Sequence, residues 1–308
     1  MSWQIFVMQA LNGIQLGLLL FLLSAGLTLV LGIMRFLNLA HGSLYMMGAY
    51  IAAAVYGRTE SFLAAALIAI LGTLLIGFVI ERVILSRFYD RDHLYQVLAT
   101  FGLILFFNEL VRIIWGSSSL YMGVPSGLSG TVIIAGLPYP MYRFSIICMG
   151  LLVALGLYML IHRTRLGMLI RAGASNASMV GMLGVNIKLI NTLIFAFGAA
   201  LAGLGGLMSA PIMSVQSGMG EPILILTLVV IVTGGIGSVR GAFYGAIIVG
   251  FVDTVGRAFL PLFLSQAFEA NVAQALGASI ASILIYLFMA VVLAIKPEGL
   301  FRVNHGEV

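Results

Sequence analysis

Apolar residues run through this chain in blocks that are long and almost uninterrupted. Residues 1–34, 61–80, 189–220 and 270–295 contain no Asp, Glu, Lys or Arg. A helix of about 20 apolar residues crosses a bilayer core, because it satisfies its own backbone hydrogen bonds where water cannot. Placing helices on the apolar runs and breaks on charged, Pro and Gly clusters predicts nine spans, at 5–33, 42–57, 62–84, 94–115, 144–162, 189–210, 222–239, 241–260 and 273–295. The first run exceeds one straight crossing and the second is short. Asn38-Leu39-Ala40-His41-Gly42 between them reads as a broken or re-entrant connection, which leaves the count between eight and ten. The predicted fold is an all-α polytopic transmembrane helical bundle, a single domain over residues 1–308.

Composition agrees. With 62% apolar and 8% charged residues the chain lies far from the roughly 25% charged content of soluble domains. Its net charge of +5 needs no nucleic-acid partner, since the positive-inside bias of membrane proteins produces the same excess. The single Cys148 excludes an intramolecular disulfide and is expected to pack in the core. The N-terminal apolar run is too long for a typical cleaved signal and reads as a retained span.

Orientation follows from sorting the 15 cations. If the 163–188 connection is cytoplasmic, Arg35, Arg82, Arg87, Arg91, Arg163, Arg165, Arg171, Lys188, Arg240, Lys296 and Arg302 share its side, leaving Arg58, Arg112, Arg143 and Arg257 opposite. This expectation puts the N-terminus outside and the C-terminus inside. The segment at about 116–143, with Pro125, Pro138 and Pro140, becomes the longest external loop.

Small residues recur at four-residue spacing in Gly198, Ala202 and Gly206, and in Gly237, Gly241 and Gly245. Such stripes let membrane helices approach closely. The run from Gly234 to Gly241 misses the dinucleotide fingerprint spacing by one residue and follows no soluble strand pattern, so a nucleotide loop is rejected.

Few polar groups fall inside the spans. Glu109 and Arg112 are positioned for an i,i+3 ion pair, and Asp253 has Arg257 one turn away. Asn38, His41 and Ser43 at the first break, Gln216 and Ser217 outside the sixth span, and Asp253 are the candidates for a solute pathway. A solitary His41 beside Asn and Gly is expected to brace a turn. The four His show no metal-ligand spacing, and no Ser/His/Asp set or paired carboxylates can be assembled in a span. Neither Lys188 nor Lys296 follows a glycine, so the chain has no P-loop and cannot hydrolyse ATP in that manner. It is not expected to be an enzyme.

The connection at about 163–188 differs from every other loop. Ser175 followed by Ala177, Met179, Val180, Met182 and Leu183 predicts a short amphipathic helix, capped by Ser175 or Asn176 and closed by Gly184. A helix exposing Met and Leu there suits the groove of a soluble partner or a lipid surface.

Asn38-Leu39-Ala40-His41-Gly42, Glu81-Arg82-Val83, Arg171-Ala172, Leu183-Gly184-Val185-Asn186, Phe195 to Gly203, Gly234 to Ser238 and Lys296-Pro297-Glu298-Gly299-Leu300-Phe301, in that order, resemble the permease of branched-chain amino acid ABC importers, specifically the shorter member of the usual pair. The resemblance covers nearly the whole chain. It implies an importer in a bacterial inner membrane, with a second homologous permease, two cytoplasmic ATPases that hold ATP and Mg, and a periplasmic binding protein. It also implies that Arg171, Ala174, Ser175, Asn176, Met179, Met182, Leu183, Gly184 and Asn186 belong to the coupling helix and its flanks, which seat in the ATPases. Alternating access is the implied mechanism, with cargo among branched-chain amino acids or related amides and carboxylates. Two positions depart from the family pattern: Phe88 follows Arg87 where proline is frequent, and Arg240 stands near a frequent proline. A stand-alone channel, an ion-coupled carrier and a sugar ABC permease are the alternatives.

Overall fold

The computed structural model describes residues 3–34, 36–89 and 91–301. Arg35 and Arg302, two of the cations sorted above, lie outside the described residues. The elements in chain order are α1 (Trp3–Met34), α2 (His41–Thr59), α3 (Phe62–Val83), α4 (His93–Trp115), β1 (Thr131–Ile134), β2 (Leu137–Pro140), α5 (Met141–Arg163), α6 (Arg165–Met182), α7 (Ile187–Ser209), α8 (Gly220–Gly234), α9 (Val239–Leu264) and α10 (Ala270–Ile295).

Among the described residues, α1, α4, α5, α7, α9, α10 and a segment from Phe62 to Arg87 that contains α3 are long and apolar enough to cross a membrane, seven in all. Helix α2 is not apolar enough, and α8 has only 15 residues. Both nevertheless occupy expected positions. The architecture is helical and polytopic, with seven rather than nine helices meeting the demands of a free-standing span.

The core is built around α1, α2 and α7. Helix α1 is buried almost continuously from Gly17 to Val30, and packs against α7, α9 and α5. Helix α7 also faces α2 and α3. Backbones meet where side chains are missing: a Cβ placed on Gly26 of α1 would stand 2.7 Å from the carbonyl oxygen of Gly198 on α7. Gly206 lies against the backbone of Tyr45 and Ala49, Ala202 is fully buried on the same helix, and Gly241 and Gly245 lie against α8. Gly237 belongs to no helical stripe. Its φ of +83° places it with Gly235 in the turn between α8 and α9. That turn ends α8 at Gly234, five residues before the expected boundary, because the left-handed backbone at these glycines breaks a run whose hydrophobicity continues.

The outer shell keeps its apolar side chains. On α3, Leu63, Leu67, Leu71 and Leu75 are all more than half exposed and recur every fourth residue, forming one continuous face. Such a face suits acyl chains, for which leucine is as good a solvent as lipid itself. Cys148 is exposed on α5 instead of packed in the core.

The 116–143 segment holds structure that hydropathy does not announce. β1 and β2 form an antiparallel hairpin with Thr131 opposite Pro140 and Ile134 opposite Leu137. Ala135 and Gly136, at φ +49° and +80°, supply the two-residue turn with both central residues left-handed. Tyr139 is fully buried, and its hydroxyl donates to Asn12 Oδ1 at 3.3 Å, tying the hairpin to α1. Leu120 and Val215 exchange backbone hydrogen bonds of 2.8 and 3.0 Å, which anchors the same segment to the α7–α8 connection.

Candidate functional site

Residues 163–186 form two helical pieces joined at a bend. Thr164 caps the first, accepting from the Gly167 amide at 3.1 Å. At Asn176 the backbone leaves the helical region (φ −151°, ψ 90°), and its Oδ1 accepts from the Met179 amide at 3.0 Å, as an N-cap does. Asn176, not Ser175, starts the second piece. Leu183 N bonds Met179 O at 3.2 Å, and Gly184, at φ +86°, closes the turn. Asn186 then caps α7 through the Leu189 amide at 3.1 Å. Met179 is 54% exposed, and Met182 and Leu183 are 78% exposed, so the second piece turns a small apolar edge outward while Val180 faces inward. Arg171, half buried, donates to the Ile161 carbonyl and holds the first piece against the end of α5. Ala174 and Ser175 line a cavity beside it.

Several of the interior polar residues are held by partners. Residues 36–40 between α1 and α2 are non-helical and largely covered: Asn38 Oδ1 accepts from the Ala40 amide at 3.0 Å, and Asn38 is fully covered. His41 Nε2 lies 3.1 Å from the Leu23 carbonyl, so the imidazole braces α2 against α1. Ser43 is buried in the first turn of α2. Asp253, nearly buried, accepts from Arg257 Nε at 2.7 Å, and the guanidinium also donates to Ser282 on α10 at 3.1 Å. Gln216 is exposed, and Ser217 donates to the Asn108 carbonyl at 3.2 Å. The six pathway candidates therefore divide among three places: the α1–α2 connection, the α7–α8 connection and mid-α9.

Two polar contacts escaped sequence reasoning. Asn108 on α4 reaches Glu221 at the start of α8, beside the expected Glu109–Arg112 pair at 2.9 Å. At the other end of the α3–α4 pair, the Tyr89 hydroxyl donates to buried Glu81, while Gln96 donates to the carbonyls of Phe88 and Arg91, both at 3.2 Å. Burial and the neighbouring Glu81 push the Tyr89 hydroxyl well above its ordinary pKa, which keeps it a donor. Glu81 was visible only as part of a motif; its partner eight residues on lay beyond helical spacing.

The chain matches the family model described as the permease component of branched-chain amino acid transport systems, over residues 9–293. It belongs to that permease family. Relatives include the high-affinity branched-chain amino acid transport system permease protein BraD of Pseudomonas aeruginosa, 30% identical over 82% of this chain and 86% of BraD. The corresponding protein LivH of Salmonella typhimurium is 29% identical over 83% and 87%. The ribose import permease protein RbsC of Escherichia coli is 26% identical over 75% and 72%. No solved structure matches. As a member of this family the chain is a multi-pass transport permease, and the relatives are transport components, not enzymes.

Proposed function

We propose that this permease is the membrane-spanning subunit of an ATP-driven importer for branched-chain amino acids or related small solutes. It works with a second homologous permease, two cytoplasmic ATPases carrying ATP and Mg, and a periplasmic binding protein, in a bacterial inner membrane with its N-terminus periplasmic and C-terminus cytoplasmic. The observation that carries the reading is the capped helical piece from Asn176 to Met182, whose exposed Met179, Met182 and Leu183 have nothing in this chain to cover them among the described residues. A short, rigid, apolar-edged helix transmits a push from a soluble motor because it moves as a unit; differential contact with two motor states then shifts the permease between them. Its positioning set is Arg171, Ala174, Ser175, Asn176, Met179, Met182, Leu183, Gly184 and Asn186.

Charge or proline placed between Ala174 and Met182 is expected to abolish uptake while capture of ligand by the binding protein persists. Normal ATPase docking and uptake in such variants would overturn the reading. A sugar cargo is the second reading, supported by the similarity to the ribose permease. Competition of labelled leucine uptake by ribose separates the two.

A further inference from the structure

A cavity of about 620 Å³ lies between α1, α5, α6, and the turn and first residues of α9. Its walls are mostly apolar, with Leu29, Ile161 and Phe243 among them, but its charged groups are of one sign. Arg171 and Arg240 both line it, and no Asp or Glu does among the described residues. The first turn of α9, capped by Ser238 accepting from the Gly241 amide at 3.0 Å, brings the positive end of a 26-residue helix to the same space. Thr28 of α1 stands behind this lining, fully buried, with a hydroxyl that has no hydrogen-bond partner.

His162 adds no acceptor of negative sign. Its Nδ1 is 3.0 Å from the Tyr158 carbonyl and its Nε2 is 3.2 Å from Arg240 Nη2. The guanidinium can only donate, so His162 accepts at Nε2 and carries its proton at Nδ1, which fixes Arg240 at the cavity wall.

Charge selects the occupant. A zwitterionic amino acid brings an ammonium group that would meet two guanidinium ions with no carboxylate to receive it. A molecule with one anionic end and a long apolar remainder satisfies both halves of the lining. We propose that this cavity is a binding site for an anionic phospholipid, its phosphate held by Arg240, Arg171 and the start of α9, and its acyl chain along the apolar wall. Arginine suits the task because its planar fork bonds phosphate oxygens in pairs. The site goes beyond the transport reading and does not depend on which solute is carried.

The test is native mass spectrometry of the full-length chain as it purifies from its membrane in mild detergent, stripped of lipid and then titrated with phosphatidylglycerol, phosphatidylcholine or sodium phosphate. One phosphatidylglycerol per permease chain is expected, bound at least about tenfold more tightly than phosphatidylcholine, whose phosphate is accompanied by a quaternary ammonium that would meet the two guanidinium ions with no carboxylate to receive it. Arg240→Gln should remove most of that preference, and Arg165→Gln, which changes net charge equally but lies outside the cavity lining, should keep it. Sodium phosphate should not displace the lipid. Equal retention of both lipids, an unchanged preference in Arg240→Gln, displacement by phosphate alone, or a photoreactive group at Tyr158 that links to another polypeptide instead of lipid would each overturn the proposal. Should Arg240→Gln fail to fold, Arg171→Gln supplies the second variant: it is expected to weaken phosphatidylglycerol retention, and unchanged retention counts against the site.

Discussion

Asn108 and Glu221, separated by 113 residues, are joined by a hydrogen bond of 2.6 Å from the Asn108 amide nitrogen to the carboxylate. The same side chain accepts from the Gly218 amide at 3.2 Å, so one residue of α4 fixes both the turn before α8 and its first charged group. Glu221 also sits in the first turn of α8, where a carboxylate complements the helix dipole. Asn108→Leu is expected to destabilise the bundle by about 1–3 kcal/mol, because it strands a partly buried carboxylate. Thermal unfolding in detergent reads the loss. A double-mutant cycle with Glu221→Gln should show the two effects to be less than additive, and strict additivity would mean that the contact carries no coupling.

The α1–α7 contact gives a sharper steric expectation. At Gly198 an added Cβ would lie 3.0 Å from the Gly26 carbonyl, and the atoms it meets are backbone, which cannot rotate away. Gly198→Leu should therefore prevent assembly of the core, seen as loss of a monodisperse peak in size-exclusion chromatography. Gly102→Ala on α4 meets nothing within 4 Å and is expected to be neutral or to stabilise by up to about 1 kcal/mol through helix propensity.

His41 and Leu23 test whether the α1–α2 break is held by one bond. His41→Leu keeps the volume roughly and removes the partner of the Leu23 carbonyl, with an expected loss of about 1–2 kcal/mol. His41→Gln, which can still donate, should recover part of it. Equal melting temperatures for the two variants would show that the imidazole is only filler.

What the sequence could announce depended on range. Helix positions followed from apolar runs because each span is a local block of composition, and the pairings Glu109–Arg112 and Asp253–Arg257 followed from helical spacing alone. The α8–α9 turn was obscured because Ile236 and Val239 continue the hydrophobic run, while the break is a matter of backbone handedness at Gly235 and Gly237. The β1–β2 hairpin was hidden by Pro138 and Pro140, which argue against a strand unless it lies at an edge, as here. Asn108–Glu221 could not be read at all: nothing local marks a bond between residues on different helices. The cap at Asn176 and the closure at Gly184 were legible in residue type, whereas the first piece of α6 was missed because its Arg-rich start resembles a polar loop.

Gly184 supplies the last test, because its conformation and its place can be separated. It lies at φ +86°, where a β-branched residue is strongly disfavoured, at the end of the piece that exposes Met182 and Leu183. A Cβ there would meet no atom within 4 Å, so the difficulty is conformational and local. Gly184→Val should unwind the closing turn without disturbing the core, and Gly184→Asn, which tolerates the left-handed region, should retain much of it. If the piece transmits motion from a motor subunit, Gly184→Val will lower uptake in reconstituted vesicles while its melting temperature stays within a few degrees of the parent, and Gly184→Asn will fall between. Unimpaired uptake in the valine variant, with the turn shown to be unwound by spin-label distances between positions 179 and 188, would mean that a rigid helix at this point is not what moves the permease.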